Sequence, residues 1–318
     1  MTSRKVSGKP VVVGVDGSPE SVRAAALGWR IAEAGGVRCA LICALPDPAP
    51  VTPLAPPLYG PELYERLYAE TRRAVMDALR PELPPALVES LDVRVGHPAT
   101  VLAQVAATLN AGLVAVGGRQ HGALARGLGG STAHTLVRTL DVPLLVAGPG
   151  APTITRVLAA VDLSETARPT VAEAARFAGL LGAPLRVLHI VEPVRIPVGV
   201  VLKLDRSEYE RRATRAFGDM MRGFGDQDTV DHVVRPGTAV EGIATEITEW
   251  GAGLVVVGSH GKKWLDRMLI GSTTERLLNL LPVSLLVVPI EPGRARDGRR
   301  VPKRRPRHRP EAGKGARL

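Results

Sequence analysis

Short apolar blocks alternate along the chain with longer stretches of helical spacing. Val11 to Val15 is an apolar, β-branched run ended by Asp16-Gly17-Ser18. A run apolar on both faces reads as a buried parallel strand. Ser18 to Ala34 follows as a helix, with Pro19 in its first turn and Gly35-Gly36 as its stop. Arg38 to Leu45 is a second strand. Prolines at 46, 48, 50, 53, 56, 57 and 61 then make a loop. Glu62 to Arg80 carries helical spacing through Leu63, Leu67, Ala74 and Ala78, and its Tyr64 and Tyr68 read as packing residues. Leu87 to Val95 is expected as a third strand, Ala99 to Asn110 as a helix and Leu113 to Gly117 as a fourth strand. A glycine-rich loop reaches Gly130, a helix runs from Ser131 to Leu140, and Val142 to Ala147 closes the set. Strands alternating with helices indicate an α/β domain with a mainly parallel sheet.

The second half repeats the first. Val11 to Ser18 matches Val157 to Ser164 at an offset of 146, which pairs Asp16 with Asp162 and Cys43 with His189. Further on the offset is 141. It pairs Gly96 with Gly237, Gly117 with Gly258 and Arg126 with Arg267. It also pairs Gly130-Ser131-Thr132 with Gly271-Ser272-Thr273, and Leu144-Leu145-Val146 with Leu285-Leu286-Val287. The first half's longer proline loop absorbs the difference. The chain divides into domains at 1–150 and 151–292 and a tail at 293–318. The linker, about Gly148 to Thr155, is short enough that the domains are expected to pack together.

Composition changes this picture in three places. At 45% hydrophobic residues but 3% aromatic, the cores must be built from Val, Leu, Ile and Ala. The net charge of +10 belongs to the tail. Residues 293–318 hold eleven Lys/Arg against two Asp/Glu, so the body is near neutral. That tail has almost no large apolar residues and is expected to be disordered. Its arginines and lysines suit electrostatic contact with nucleic acid or an anionic surface, but it has no aromatic side chain for base stacking. The two cysteines, Cys39 and Cys43, lie four apart in one strand, roughly 13 Å between Cα atoms, too far for a disulfide. The start of the chain does not read as a signal peptide, and no apolar run is long enough to span a bilayer. A cytoplasmic location is expected.

The candidate chemistry lies in the second half. The apolar run Leu254 to Val257 leads into Gly258-Ser259-His260-Gly261, nine further residues, then Gly271-Ser272-Thr273 and a helix. A strand, a glycine-punctuated loop and a helix N-terminus make an anion cradle, in which backbone N–H groups and hydroxyls point at the ligand. It is not a P-loop, since the chain has no G-x-x-x-x-G-K-[ST]. Ser272-Thr273-Thr274-Glu275 also fits a capping box, which needs no ligand. Asp162 ends the first strand of the same domain, where an open parallel sheet takes its ligands. An acidic residue there accepts hydrogen bonds from a ribose or an adenine amino group. A turn or capping aspartate is the alternative.

Gly258-x2-Gly261-x9-Gly271-Ser272 resembles the nucleotide-binding signature of the universal stress protein family. So do Val157 to Asp162 with Ser164, and Leu188-His189-Ile190-Val191-Glu192-Pro193. The resemblance spans roughly residues 10 to 290 as two tandem domains. It implies two doubly wound α/β domains, each a five-stranded parallel sheet of order 3-2-1-4-5 with helices on both faces. It also implies ATP, with or without magnesium, as the ligand. Asp162 would lie near the adenine or ribose, with Gly258, Gly261, Gly271, Ser272 and Thr273 around the phosphates. In the first half Asp16, Gly117, Gly130, Ser131 and Thr132 match, but Gln120 stands where the second glycine belongs, so the second half is expected to be the stronger site.

No G-x-S-x-G, H-E-x-x-H or paired carboxylates support catalysis, and the seven histidines have no metal-ligand spacing. The expected function is ATP-dependent regulation in the stress response, through nucleotide occupancy and a protein partner, as an intramolecular domain pair or a homodimer. The alternative is a nucleotide-independent interaction protein whose glycine loops are only turns and whose last strands are dimer edges.

Overall fold

The computed structural model of the chain describes residues 8–45, 61–118, 132–150, 153–164, 166–193, 206–224, 230–259 and 270–289. The proline loop, the centres of both glycine-rich loops and the basic tail lie outside the described residues.

The first half runs β1 (Val11–Gly14), α1 (Pro19–Gly35), β2 (Cys39–Leu45), α2 (Pro61–Leu79), α3 (Pro85–Glu89), β3 (Asp92–Val95), α4 (Pro98–Thr108), β4 (Leu113–Gly117), α5 (Thr132–Thr139) and β5 (Leu144–Ala147). The second runs β6 (Val157–Ala160), α6 (Ala167–Leu181), β7 (Leu185–Val191), α7 (Arg206–Met221), a 3-10 turn at Arg222–Phe224, β8 (Asp231–Pro236), α8 (Ala239–Trp250), β9 (Leu254–Gly258), α9 (Ser272–Leu280) and β10 (Ser284–Val288).

Each half has the expected parallel order, β3-β2-β1-β4-β5 and its copy β8-β7-β6-β9-β10. The two sheets then merge. β5 pairs antiparallel with β10, giving one ten-stranded sheet. The last strands are therefore edges for each other within one chain. The repeat extends to backbone conformation: Gly36 and Gly182 cap α1 and α6 at φ 61° and 62°, and Gly96 and Gly237 sit at φ 137° and 138°.

Alternation along the strands splits the core into two layers. Val11, Val13, Leu145, Val157, Ala159 and Leu286 face α1, α2, α6 and α7, whereas Val12, Leu144, Val146, Leu158, Val255 and Leu285 face α4, α5, α8 and α9. Both layers run through both halves. Tyr64 and Tyr68 pack against the first layer, as expected from their helical spacing. Cys39 and Cys43 are buried free thiols.

The junction is close-fitting. A Cβ on Gly118 would collide with Leu281 of the second half, and one on Gly148 with the Val283 backbone. Gly148 N donates to Ser284 Oγ at 3.3 Å, and Arg30 Nη1 to Thr153 Oγ1 at 2.5 Å. The expectation that the domains pack together holds.

One element differs from the sequence reading. The stretch 87–95 is not a single strand. Pro84-Pro85 starts α3, with a proline at its first turn, where a missing N–H costs nothing. Leu87 and Val88 turn into the core, and only Asp92–Val95 joins the sheet.

Candidate functional site

In each half the chain order reverses between the first and fourth strands. β1 has β2 on one side and β4 on the other; β6 has β7 and β9. Helices connecting the two sides must leave a crevice at the carboxyl ends there. Asp16 follows β1 and Asp162 follows β6, each beside the end of the fourth strand of its half, one strand spacing or about 4.8 Å across.

Both aspartates form the same turn. Asp162 Oδ1 accepts from Ser164 N at 3.1 Å and from Ser164 Oγ; Asp16 Oδ1 accepts from Ser18 N at 3.0 Å and from Ser18 Oγ. The turn role considered for a lone aspartate is thus real, but it uses one oxygen. Oδ2 of Asp162 has no protein partner among the described residues. Asp162 is half-buried, whereas Asp16 is exposed. Ser18 additionally caps α1, its side chain accepting from Ser21 N.

The loop after β9 is pinned at its base. Gly271 N donates to Ser259 O at 2.9 Å, and Thr274 Oγ1 donates to Gly258 O at 2.8 Å. Two residues far apart in sequence, Gly258 and Gly271, are thereby brought together below the loop. Gly261 lies outside the described residues. The capping box does not form. Gly271 is the N-cap of α9 and makes no side-chain bond, so Ser272 is the first helical residue and its exposed hydroxyl is not spent on capping. Thr273 is half-buried beside it. The start of α9 therefore offers backbone N–H groups, a helix dipole and a hydroxyl to an anion.

The first half keeps less of this. Gly117 has a packing reason to be glycine: a Cβ there would lie 2.5 Å from the Glu20 carbonyl carbon and 2.7 Å from Ser21 N. Thr132 is the first residue of α5. Gly130, Ser131 and Gln120 lie outside the described residues. Ala133 stands where Thr274 stands in the second half, so the side-chain pin is missing. In sequence Thr274 belongs only to the capping-box spacing; its mismatch with Ala133 in the repeat is the signal for its distinct role.

Two further observations define the surroundings. Burial pushes the Cys39 thiol up to about 12, and burial together with the Asp16 charge pushes Cys43 up to about 11. Both stay protonated near neutrality. Away from the crevice, Glu246 on α8 is fully buried between Arg186 on β7 (2.7 Å) and Arg235 on β8 (2.5 Å), and Arg186 also lies over the Trp250 ring at 4.7 Å. Burial lowers the pKa of each of these arginines, but the hydrogen bonds to carboxylates outweigh it and the net shift is upward. Among the described residues no group of three or more His, Cys, Asp or Glu side chains is placed to hold a metal ion.

The model of the family described as "Universal stress protein family" matches twice, over residues 8–148 and 153–289. The chain belongs to the universal stress protein family. Universal stress proteins of Mycobacterium tuberculosis strain H37Rv and of Mycobacterium bovis are each 28% identical to it over 291 residues, covering 87% of this chain and 96% of theirs. These relatives share the tandem length. A universal stress protein of Archaeoglobus fulgidus matches the fold with a TM-score of 0.62 at 18% identity, covering 88% of this chain and 96% of that one. A putative universal stress protein of Pseudomonas aeruginosa gives 0.57 at 17% identity, covering 89% and 94%. Membership brings with it the stress-response role of the family. No helix among the described residues is long and apolar enough to cross a membrane.

Proposed function

We propose that this universal stress protein is a cytoplasmic regulator that binds ATP, chiefly in its second half. One observation carries the reading: the half-buried Asp162, whose Oδ2 has no partner among the described residues, lies one strand away from a loop pinned at Gly258 and Gly271 that ends on the exposed Ser272. An acceptor at one end and a cluster of donors at the other match the two ends of a nucleotide. Asp162 would accept from the ribose or the adenine amino group. The N–H groups near Gly258, Gly261 and Gly271, with the Ser272 and Thr273 hydroxyls, would hold the phosphates, with magnesium as a counter-ion on phosphate oxygens.

In this reading the chemistry is binding rather than turnover; among the described residues no base is aimed at the phosphate end. Regulation requires ATP to favour one of two conformations, which then selects a protein partner. The packing role of Gly117 favours a second reading for the first half alone, that of a structural partner holding the second.

The test is to purify the full chain, extract any bound small molecule, and titrate the emptied protein with a fluorescent ATP analogue. Co-purified ATP, lost on Asp162→Ala or Gly271→Glu, supports the proposal. An empty protein with no measurable affinity overturns it in favour of a nucleotide-independent interaction protein.

A further inference from the structure

The halves differ most sharply just beneath the two aspartates. In both, the backbone leading to the aspartate is held by the neighbouring strand: Val15 N donates to Ile42 O, and Val161 N to Leu188 O, each at 2.9 Å. The second half adds another tie. His189 Nδ1 lies 2.9 Å from Val161 O, and since a carbonyl only accepts, Nδ1 carries the proton. That carbonyl belongs to the peptide joining Val161 to Asp162. The imidazole is 4% exposed and stacks on the fully buried Phe217, with ring centroids 5.5 Å apart and planes at 26°. Phe217 in turn meets His232 edge-on at 5.8 Å.

The first half has Cys43 at the matching place, and no side chain among the described residues donates to Val15 O. A thiol is a weak donor. The Val161–Asp162 peptide is therefore held at its carbonyl by a packed ring, whereas the Val15–Asp16 peptide is held at its N–H, which donates to Ser21 Oγ at 3.2 Å.

We propose that His189 is a positioning residue for ligand binding in the second half: its Nδ1–H locks the Val161–Asp162 peptide and so aims the Asp162 carboxylate. This rests on the nucleotide reading above. A carboxylate held in its binding orientation before the ligand arrives loses less freedom on binding. His189 would make the second site stronger by preorganisation, without touching the ligand.

The test uses the full chain with Asp16→Ala to silence the first half, titrated with a fluorescent ATP analogue. His189→Cys installs the first half's residue without its Ser21 tie, since Ala167 stands at the matching place, and is expected to weaken binding about tenfold, or about 1.4 kcal/mol. His189→Asn places an amide N–H where Nδ1 sits and is expected to stay within about threefold. In the Asp162→Ala background His189→Cys is expected to cost nothing further, because a positioning effect vanishes with the group it positions. A loss that persists undiminished in that background marks a general structural role and overturns the proposal, as does binding by His189→Cys equal to that of the parent. If His189→Cys fails to fold, the Asn variant decides: binding lost despite a folded protein overturns the proposal. No binding by the parent overturns the nucleotide reading itself, an outcome distinct from the others.

Discussion

Leu145 pairs with Leu286, its own counterpart in the repeat. Val146 pairs with Leu285 and Leu144 with Val287, so the register is symmetric about that pair and a local two-fold axis relates the halves. Such an axis buries the same patch of each half against the other. It also turns the carboxyl ends of β1 and β6 to opposite edges of the sheet, so the two crevices face apart.

The junction is not symmetric in detail. Gly118 is covered by the fully buried Leu281, whose backbone is at φ 36°, while Ser259 stands at the position matching Gly118. Gly118→Ala is expected to destabilise the chain by about 1–3 kcal/mol through overpacking. Combining it with Leu281→Ala should cost less than the sum of the two single changes. Urea unfolding of the four proteins measures this, and simple additivity would show that the two side chains do not compete for one space.

The tie between Thr274 and Gly258 is a single hydrogen bond reaching across sixteen residues. Thr274→Val keeps the shape and removes the donor. It is expected to cost about 1 kcal/mol of stability and to weaken binding of an ATP analogue, while Thr274→Ser retains both. Ala133→Thr in the first half should tighten whatever binding that half shows. Calorimetric titration of full-length variants reads both effects.

Comparing Asp162→Ala with Asp16→Ala in the full chain ranks the crevices. The half-buried Asp162, backed by a pinned loop, is expected to account for most of the affinity. A larger loss from Asp16→Ala would reverse that ranking. The intact chain is the proper material, because separating the halves would strip β5 and β10 of their partners.

Glu246 is fully buried between two arginines. Glu246→Gln leaves Arg186 and Arg235 without their shared carboxylate but with Asp231 and Glu249 still paired to them, and is expected to cost about 1–3 kcal/mol. Glu249, an exposed partner of Arg235, should change stability by less than about 1 kcal/mol when replaced by Gln. Thermal unfolding at matched salt separates the two.

The buried thiols give a pH dependence. An unfolded thiol ionises near 9.0, but in the folded chain Cys43 holds its proton to about 11 and Cys39 to about 12. Between those values the unfolded state loses protons that the folded state keeps, so stability falls as pH rises from 9 towards 12. Replacing both cysteines with alanine should flatten that part of the pH–stability curve. At pH 8 the Cys43 thiolate fraction falls roughly a hundredfold below that of a free thiol, so a thiol reagent should label the native protein only slowly.

Much of this architecture is legible in the residues. The alternation of Val-rich runs with helical spacing gives the parallel halves, and the matched offsets give the tandem repeat, because both follow from local patterning. The details that distinguish the halves are not local. Pro84-Pro85 reads as an interruption before a strand, yet its buried neighbours Leu87 and Val88 make one helical turn. Ser272-Thr273-Thr274-Glu275 has capping-box spacing, but Gly271 takes the N-cap position and Ser272 falls inside the helix. His189 stands out in sequence only through the family resemblance and its pairing with Cys43 in the repeat; its partner, the carbonyl of Val161, lies on a separate strand. Which donor meets which acceptor is decided by the packing of separate strands, and no window of sequence contains it.

The outer borders of the ten-stranded sheet have a consequence for self-association. Two separate five-stranded sheets would present four open edges, and merging them leaves two, β3 and β8. β3 carries the exposed pair Asp92 and Arg94, and β8 begins with the exposed Asp231 and ends in Pro236. Charges and a proline at the rim discourage another strand from docking. The chain thus consumes its two stickiest borders internally and charges the remaining pair, which guards it against growing into strand-paired filaments.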